Sequence, residues 1–438
     1  MSLPIEDKMR ADWNERARSD AYYYVSTSRR QQNRDEFLST GEFHVAVVHA
    51  AMQRIQSEAA PGARRVLEIG CGPGRLMLPL SGAVGEIHGI DISDEMISLA
   101  RQMLRDVPNA YLYRGSGADL APLSSAYFDC VYSYAVFQHI PSTAIVTRYL
   151  EEAFRVLKPG GVLCCQLRGA PSPAETVAGQ SETWVGCVYP AADAKALCRR
   201  MGISVLQING ADTQHMWLVA RKPLTPESGS VDLAGAILKA ATPADNPYAV
   251  ISPTGPGSAF HCWLEGLPEF ASLGDFDVTV GGVPADPCYI SEHLGRGGFQ
   301  LNVLVPPQME YGTANIRLRW RGHLVLGEPI IEIRPYPELV PAIDVVTDGV
   351  DLLSEYATNT GSLKVTVSGI ADPRQLIIAI DSRPVEVQEP QLLDPLRALY
   401  CYALTAPDLL PPGPHSLTVA TPQWSDTVEV QSHSGTGT

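Results

Sequence analysis

The stretch "VLEIGCGPGRLMLPL", residues 66–80, places three glycines within five positions, between an apolar run and a helix-like run. Glycine adopts left-handed backbone dihedrals and lets other atoms approach closely. A glycine-rich turn between a strand and a helix is therefore typical of a loop that holds a cofactor. The stretch predicts a ligand-binding turn, and the neighbouring residues indicate which ligand it takes.

The spacing of the glycines argues against a dinucleotide. The phosphate-binding fingerprint requires GxGxxG, but after Gly70 and Gly72 the third position is Arg75. No Gly-Lys-Ser/Thr follows, which excludes a P-loop. Glu68 precedes the turn, and a carboxylate at that place repels a pyrophosphate but favours a cationic ligand.

S-adenosylmethionine is a cationic cofactor without a phosphate, and the sequence offers what it requires. Gly70, Gly72 and Gly74 permit close approach of the backbone. Asp91 ends the run "IHGID" about 20 residues later, where an acid accepts both ribose hydroxyls in related folds. Asp119, in "GADL" after a third run, is placed to accept from the adenine amine.

Residues 64–222 alternate short apolar runs with helical patterns, which predicts an α/β fold with a parallel, Rossmann-like sheet. The runs 203–209 and 215–221 are too close for a helical crossover, so the sheet should end in an antiparallel hairpin. Residues 1–60 have helical spacing and should precede this sheet.

Residues 38–222 resemble a class I S-adenosylmethionine-dependent methyltransferase of the group that includes the ubiquinone-biosynthesis methyltransferases. The resemblance is carried in order by "LEIGCGPGR", "GIDISDEMISLAR", "GADLAPLSSAYFDCVYSYAVFQHI" and "EEAFRVLKPGGVL". It implies that S-adenosylmethionine is the cofactor and S-adenosylhomocysteine the product. It also implies a donor site lined by Glu68, Gly70, Cys71, Gly72, Asp91, Ile92, Met96, Ala118, Asp119 and Tyr134.

A small-molecule acceptor should lie beyond the carboxyl ends of the fourth and fifth strands. "YSYAVFQHIP" offers Tyr134, Gln138 and His139 there. His139 has two possible roles, as a general base or as a residue that orders the loop, and the sequence leaves both open. Displacement at a sulfonium carbon depends mainly on in-line positioning, so a base is not required.

Two further segments are candidates for the acceptor side. We predict that the helical segment 1–60 is a lid, with the consecutive Tyr22, Tyr23 and Tyr24 near the cofactor. The long loop 166–186 offers Arg168 and Trp184 as acceptor contacts. The basic residues of the first segment either meet an anionic acceptor or belong to the solvated surface: Arg16, Arg18, Arg29 and Arg30.

The composition and the pattern of apolar residues change after Pro223, and 23 of the 35 prolines lie from Pro226 onward. Alternating apolar residues between turns predict β-sandwiches, which by pattern resemble immunoglobulin-like or IPT/TIG modules. The predicted domains are a lid (1–60), a methyltransferase domain (61–223), a linker with one possible short helix (224–247) and two sandwiches (248–335 and 336–432).

Composition limits the partners. The first 225 residues hold 23 basic and 23 acidic side chains, so the net charge of −15 belongs to the remainder and disfavours nucleic acid there. The nine cysteines include no CxxC, which argues for reduced thiols, no metal site and a cytoplasmic location. No segment has the pattern of a membrane span or a secretory signal.

Methyl transfer to a small molecule is the leading hypothesis, with oxygen, nitrogen and carbon acceptors all open. The β-rich half would then mediate homodimerisation or the docking of a substrate or partner. One alternative is a glycan- or protein-binding scaffold with a sensory or degenerate methyltransferase-like domain. Another is a protein methyltransferase.

Overall fold

The structure is a computed structural model of the 438-residue chain. It describes residues 4–26, 30–57, 59–171, 182–211, 213–224, 235–244, 249–268, 270–292, 298–336, 339–348, 356–358, 362–370, 373, 376–385, 387, 390–394, 398–405, 410–421 and 424–433.

The described residues group into two compact units. The first unit contains residues 4–171, 182–224, 268 and 270–275. Its helices are α1 Ile5–Ser26, α2 Arg34–Ser39, α3 Glu42–Met52, α4 Met77–Ser81, α5 Asp94–Met103, α6 Thr143–Val156, α7 Glu182–Val185 and α8 Ala191–Arg200. Its strands are β1 Arg65–Ile69, β2 Glu86–Asp91, β3 Ala110–Arg114, β4 Phe128–Ser133, β5 Leu157–Leu167, β6 Ser204–Asn209 and β7 Met216–Arg221.

These seven strands lie side by side in the order β3-β2-β1-β4-β5-β7-β6. The first five are parallel, whereas β7 is antiparallel to both β5 and β6. The predicted Rossmann-like sheet and its antiparallel terminal hairpin are therefore confirmed. Every residue of β4 is buried, because helices cover both faces of such a sheet.

Helix boundaries in this unit follow the capping residues. Ser93 accepts from the Met96 backbone N–H and begins α5, and Ser142 does the same for Ile145 at the start of α6. Because these crossovers keep β1, β2 and β4 parallel, their carboxyl ends meet at one edge of the sheet. The residues that follow those three strands therefore converge at this edge.

The described residues of 1–60 contain the helices α1, α2 and α3, as the helical pattern predicted. Helix α1 breaks at Asp20, whose φ of −166° and ψ of 85° are not helical. The Asp20 carboxylate accepts from the Tyr23 N–H at 3.1 Å and from the Gln31 N–H at 2.9 Å. Asp20 thus caps a second, short helical part that carries the three tyrosines.

The second unit is rich in β-strands. Its first part contains β8 Ile237–Pro243, β9 Ala259–Glu265, β10 Phe276–Val280, β11 Val283–Ala285, β12 Pro287–Ile290, β13 Gly298–Leu304, β14 Gly312–Trp320, β15 His323–Leu324 and β16 Ile330–Ile333. Its second part contains β17 Ala342–Asp348, β18 Ala357–Thr358, β19 Ser362–Ser368, β20 Ile377–Ile380, β21 Arg383–Pro384, β22 Gln391–Asp394, β23 Leu399–Thr405, β24 Gly413–Ala420 and β25 Ser425–Ser432.

Two expectations for this region were wrong. In the part of 224–247 that the structure describes from 235 to 244, a strand stands where a short helix was expected: β8 pairs with β9 from Ile237–Glu265 to Pro243–Phe260. Pairing with β9 overrides the local helical pattern, because it satisfies the backbone polar groups of β8. Residues 270–275, expected in the first sandwich, belong to the first unit, where the Ser272 hydroxyl accepts from the Val205 N–H at 2.8 Å.

The second part of this unit contains two sheets, with strand orders β17-β19-β23-β22 and β18-β25-β24-β20-β21. Residues of both sheets share one apolar core, for example Val346, Val365, Tyr402, Val419 and Val430. Two sheets around a common core agree with the predicted layering. The immunoglobulin-like or IPT/TIG identity of this region stays a prediction.

A histidine in the second sheet should make the stability of this chain dependent on pH. His415 Nδ1 lies 2.7 Å from an Asp381 carboxylate oxygen, and its Nε2 lies 2.7 Å from the Pro411 carbonyl oxygen. Both ring nitrogens must donate, so the folded state favours the imidazolium, and the bond to Asp381 raises the pKa of His415 above its ordinary 6.5. Its contribution to stability is complete below pH 6.5 and is lost as the pH rises through the higher, folded-state pKa.

Calorimetric unfolding between pH 6 and pH 9 checks this expectation. His415→Gln supplies one donor at every pH, so the melting temperature of the variant should lose this component of the pH dependence. His323→Gln, at an exposed position on β15, is the control. A pH profile of His415→Gln that coincides with the wild-type profile would contradict the expectation.

Candidate active site

The glycine loop follows β1 and bends sharply. Gly70, Gly72 and Gly74 have φ values of +71°, +49° and +89°, in the left-handed region that favours glycine. The Gly70 N–H donates to the Ile90 carbonyl at 2.7 Å, which fixes the loop to the end of β2. A Cβ on Gly70 would lie 2.3 Å from a methyl carbon of Val136, so this position also requires glycine for space.

Asp91, the last residue of β2, connects the glycine loop to the start of α5. One carboxylate oxygen accepts from the Gly72 N–H and the other from the Ser93 N–H, both at 2.9 Å. Burial raises the pKa of Asp91 to about 6, and these two bonds oppose the shift. Asp91 therefore organises the loop and keeps an ionised carboxylate at the cavity at neutral pH.

A cavity opens where the carboxyl ends of β1, β2 and β4 meet, and the space within it, including open solvent at its mouth, is about 790 Å³. It is lined mainly by apolar and aromatic side chains. The lining residues are Met9, Trp13, Tyr24, Val25, Ile69, Gly70, Gly72, Ile90, Asp91, Ile92, Met96, Gly117, Tyr134, Ala135, Val136, His139, Ile140 and Tyr149.

These residues fit S-adenosylmethionine. Gly72 leaves the backbone open on the side where a Cβ would stand, since among the described residues that Cβ would meet Val25, at 3.4 Å. Asp91 supplies a carboxylate for two hydroxyl donors, and Ile92 and Met96 supply apolar walls for a planar base. Of the predicted donor-site residues, the structure brings five to this cavity besides Tyr134: Gly70, Gly72, Asp91, Ile92 and Met96.

The other predicted donor residues lie outside the cavity wall. Glu68 and Cys71 are buried behind the loop, where the Tyr132 hydroxyl donates to Glu68 Oε2 at 2.8 Å. Burial raises the pKa of Glu68 to about 8, so its carboxyl is mostly protonated at neutral pH. Asp119, which follows Ala118, accepts at Oδ1 from the Ser116 hydroxyl at 2.9 Å, as part of a local turn.

His139 lines the cavity, but both of its ring nitrogens have protein partners. Nδ1 lies 2.6 Å from the Trp184 carbonyl oxygen and must donate, so Nε2 is the acceptor for the Gln138 amide at 3.2 Å. Burial lowers the pKa of His139 to about 4. A neutral imidazole with such a low pKa is a weak general base near pH 7, so the geometry favours the loop-ordering role.

Helix α1 covers the cavity with residues on both sides of its break. Met9 and Trp13 precede Asp20, and Tyr24 and Val25 follow it. The first part is anchored to α5, because Asn14 Oδ1 accepts from the Ser93 hydroxyl at 2.7 Å. The cavity-lining residues Met9, Trp13 and Val25 were missed, since only packing between distant segments places them at the glycine loop.

The three tyrosines point in different directions. Tyr24 reaches the cavity and meets Trp184 edge-on, with ring centroids 5.8 Å apart. Tyr22 stacks on Phe37 at 4.1 Å, and the buried Tyr23 ring receives the Arg30 guanidinium at 4.1 Å. Of the candidates Tyr22, Tyr23 and Tyr24, only Tyr24 therefore borders the cavity.

Helix α7 is held against α1 by polar and aromatic contacts. The Arg16 guanidinium donates to the Thr183 hydroxyl at 3.1 Å and lies 5.3 Å from the Trp184 ring centroid. Arg168 donates to the Val185 and Gly186 carbonyls, so it supports the segment after α7. Neither arginine borders the cavity.

The remaining candidate residues lie either at the surface or outside the described residues. Arg18 forms an exposed ion pair with Glu95 at 2.9 Å. Arg29 and residues 172–181 of the predicted acceptor loop lie outside the described residues. In the described ranges, no group of three or more metal-ligating side chains is present, and no helix is long and apolar enough to cross a membrane.

Comparison with known proteins supports the assignment of this site. Residues 67–165 match the family model described as a methyltransferase domain. The ubiquinone biosynthesis O-methyltransferase of Methylococcus capsulatus is 31% identical over 119 residues, which cover 27% of this chain and 49% of that protein. The demethylmenaquinone methyltransferase of Staphylococcus aureus is 31% identical over 111 residues, 25% of this chain and 44% of that protein.

The chain thus spans less than half the length of these curated relatives. Among solved structures, the magnesium protoporphyrin IX methyltransferase of Synechocystis PCC 6803 is 20% identical, with a TM-score of 0.36 over 49% of this chain and 97% of that one. The assignment depends on the family match together with the loop and cavity described above. Residues 67–165 therefore form a class I methyltransferase domain, as predicted, with S-adenosylmethionine as its cofactor.

Proposed function

We propose that this protein transfers a methyl group from S-adenosylmethionine to a small-molecule acceptor. The observation that carries the proposal is the cavity in which the glycine loop, Asp91 and the aromatic residues of α1 meet. S-adenosylmethionine, when bound, supplies an electrophilic methyl group on a sulfonium. The chain has to bind this cofactor, orient the acceptor in line with the methyl group and exclude water.

The donor and acceptor ends of the cavity differ in their chemistry. Gly70, Gly72 and Asp91 lie at one side, where the backbone and a carboxylate meet hydroxyl and amine groups. Trp13 and Tyr24 lie on the covering side, and their rings favour a cationic sulfur and apolar carbon. We assign the acceptor to this aromatic side.

In our proposal, His139 positions side chains on the acceptor side of the cavity and does not act as a general base. Its Nδ1–H holds the Trp184 carbonyl, and its ring lies 5.3 Å from Trp13 and 4.9 Å from Trp184, centroid to centroid. These contacts hold Trp184 against Trp13 of α1. An acceptor that is already nucleophilic near pH 7 then requires no side-chain base.

The relatives methylate small molecules by name, which agrees with a small-molecule acceptor. We further propose that the β-rich unit serves homodimerisation or the docking of a substrate or partner, and that the enzyme acts in the cytoplasm. Its acidic composition supports a role other than binding nucleic acid.

Methyl transfer is tested with the full chain and S-adenosylmethionine labelled at the methyl group. A cell extract is separated into a small-molecule fraction and a protein fraction, and each is incubated with the enzyme. We expect label in small molecules and not in proteins, with Asp91→Asn as the inactive control. Label confined to the protein fraction, or no binding of S-adenosylhomocysteine at millimolar concentration, would contradict the proposal.

A further inference from the structure

Tyr149 of α6 is a buried residue at the wall of the cavity, and the sequence motifs did not indicate it. The residue is 7% exposed, and its ring lies 6.0 Å from the ring of Phe137, centroid to centroid. Its hydroxyl is a polar group in a cavity that is lined mainly by apolar and aromatic side chains. A polar group at such a place requires a hydrogen-bond partner, which a ligand can supply.

The contacts of Tyr149 place its hydroxyl at the end of the cavity that suits a planar base. The Gly117 backbone N–H acts on the hydroxyl oxygen as a hydrogen-bond donor. Gly117 lies directly against Ile92, since a Cβ on Gly117 would come within 2.2 Å of the Ile92 Cδ1. Ile92 and Met96 can pack on the faces of a base, but their side chains cannot donate to its nitrogen atoms.

The Tyr149 hydroxyl keeps a hydrogen that it can donate. An oxygen that accepts from a backbone N–H still has its own O–H bond, and Gly117 offers this hydroxyl a donor rather than an acceptor. Burial, helped by the charges of Asp91 and Asp119, raises the pKa of Tyr149 above its ordinary value, so the group is protonated at neutral pH. The hydrogen is therefore available to an acceptor atom inside the cavity.

Adenine offers such acceptor atoms, because its ring nitrogens N1, N3 and N7 each carry a lone pair. Asp91, the expected partner of the ribose hydroxyls, acts on Tyr149 through its charge, so a base attached to that ribose lies within reach of Tyr149. We propose that Tyr149 reads the adenine of S-adenosylmethionine by donating its hydroxyl hydrogen to one of these ring nitrogens. This assignment rests on the proposed function, and it makes Tyr149 a specificity-determining residue for the methyl donor.

Calorimetry of the full chain with four ligands tests the assignment: S-adenosylhomocysteine and its 1-deaza, 3-deaza and 7-deaza analogues, each of which replaces one ring nitrogen by CH. The wild-type chain should bind at least one of these analogues about 10-fold more weakly than S-adenosylhomocysteine, because a buried donor then loses its acceptor. In Tyr149→Phe this ratio should fall to about one, through loss of affinity for S-adenosylhomocysteine alone. Tyr149→Met, which keeps an apolar side chain beside Phe137, is the second variant if Tyr149→Phe does not fold.

Tyr189→Phe is the matched control. Tyr189 is 5% exposed, and its hydroxyl oxygen lies 3.2 Å from the hydroxyl oxygen of Thr147, which is also on α6. Among the described residues, Tyr189 is not part of the cavity lining. Removal of its hydroxyl should therefore leave every ratio at the wild-type value, whatever it does to the stability of the chain.

The outcomes separate this inference from the proposed function. Ratios in Tyr149→Phe that equal the wild-type ratios overturn the assignment, whether the affinities fall together or not at all, and so does a wild-type chain that binds all four ligands equally. The 2′-deoxy analogue of S-adenosylhomocysteine gives a further check. If Tyr149→Phe changes the preference for the ribose hydroxyl but not the deaza ratios, Tyr149 reads the ribose and the assignment is wrong. A wild-type chain that binds none of these ligands contradicts the proposed function itself.

Discussion

Asp91→Asn should reduce the affinity for S-adenosylhomocysteine by a factor on the order of 100 or more, because hydrogen bonds to an ionised carboxylate are among the strongest in a binding site. Each oxygen of Asp91 already accepts from a backbone N–H, of Gly72 and of Ser93. An asparagine must turn its NH₂ group towards one of these donors. The variant therefore loses both the charge and the ordered loop.

The pH dependence of binding gives a second readout for the same residue. Because the pKa of Asp91 is about 6, the wild-type carboxylate becomes protonated as the pH falls through this value. A protonated carboxyl accepts fewer hydrogen bonds, so wild-type affinity should fall below pH 6, whereas Asp91→Asn should lack this step.

Asp94→Asn is the control for this substitution. Asp94 lies three residues later in α5, where its side chain is half-exposed and pairs with Arg114 at 3.6 Å. Its removal should leave the affinity within a factor of about two, as expected for an exposed pair. An Asp91→Asn variant that binds as tightly as Asp94→Asn would show that Asp91 does not hold the cofactor.

Gly70→Ala should both weaken cofactor binding and destabilise the first unit by about 2–4 kcal/mol, the sum of left-handed strain and overpacking. The new Cβ would lie 2.3 Å from one methyl carbon of Val136 and 2.7 Å from the other. Val136 lines the cavity, so the loop or the cavity wall has to move. Thermal unfolding and calorimetry with S-adenosylhomocysteine measure the two effects.

A double variant separates the clash from the backbone strain. Val136→Ala removes both methyl groups and leaves a Cβ that lies 3.0 Å from where the Cβ of Gly70→Ala would stand, so the double variant should recover part of the stability. Gly82→Ala is the control, because a Cβ there meets nothing within 4 Å and φ is −73°. Equal melting temperatures for Gly70→Ala and Gly82→Ala would refute the steric argument.

The parts of the site that local sequence controls could be predicted. Glycines at 70, 72 and 74 indicated left-handed backbone, and their φ values confirm it. Asp91 could be predicted as a site residue because it ends the strand that follows the glycine loop. In a doubly wound sheet this strand ends at the same edge as the strand before the loop. The terminal hairpin followed from the short separation of its two runs.

The parts of the site that depend on packing between distant segments could not be predicted from the sequence. Trp13 and Val25 reach the glycine loop only because α1 docks on α5, and no periodicity marks them. His44 and Trp217 flank Tyr134, with ring centroids 3.6 and 5.7 Å from it, although they come from α3 and β7. Only a three-dimensional arrangement shows that these residues meet.

The break of α1 at Asp20 has a consequence for the exchange of cofactor and product. The part before the break is tied down by Asn14, whereas the part after it covers the glycine loop with Tyr24 and Val25. A rotation of the backbone at Asp20, with opening of the Tyr22–Phe37 stack, would uncover the loop while the preceding turns stay docked. The rate of product release would then depend on the short helical part after Asp20. The contact that anchors the first part of α1 through Asn14 would stay intact in every catalytic cycle.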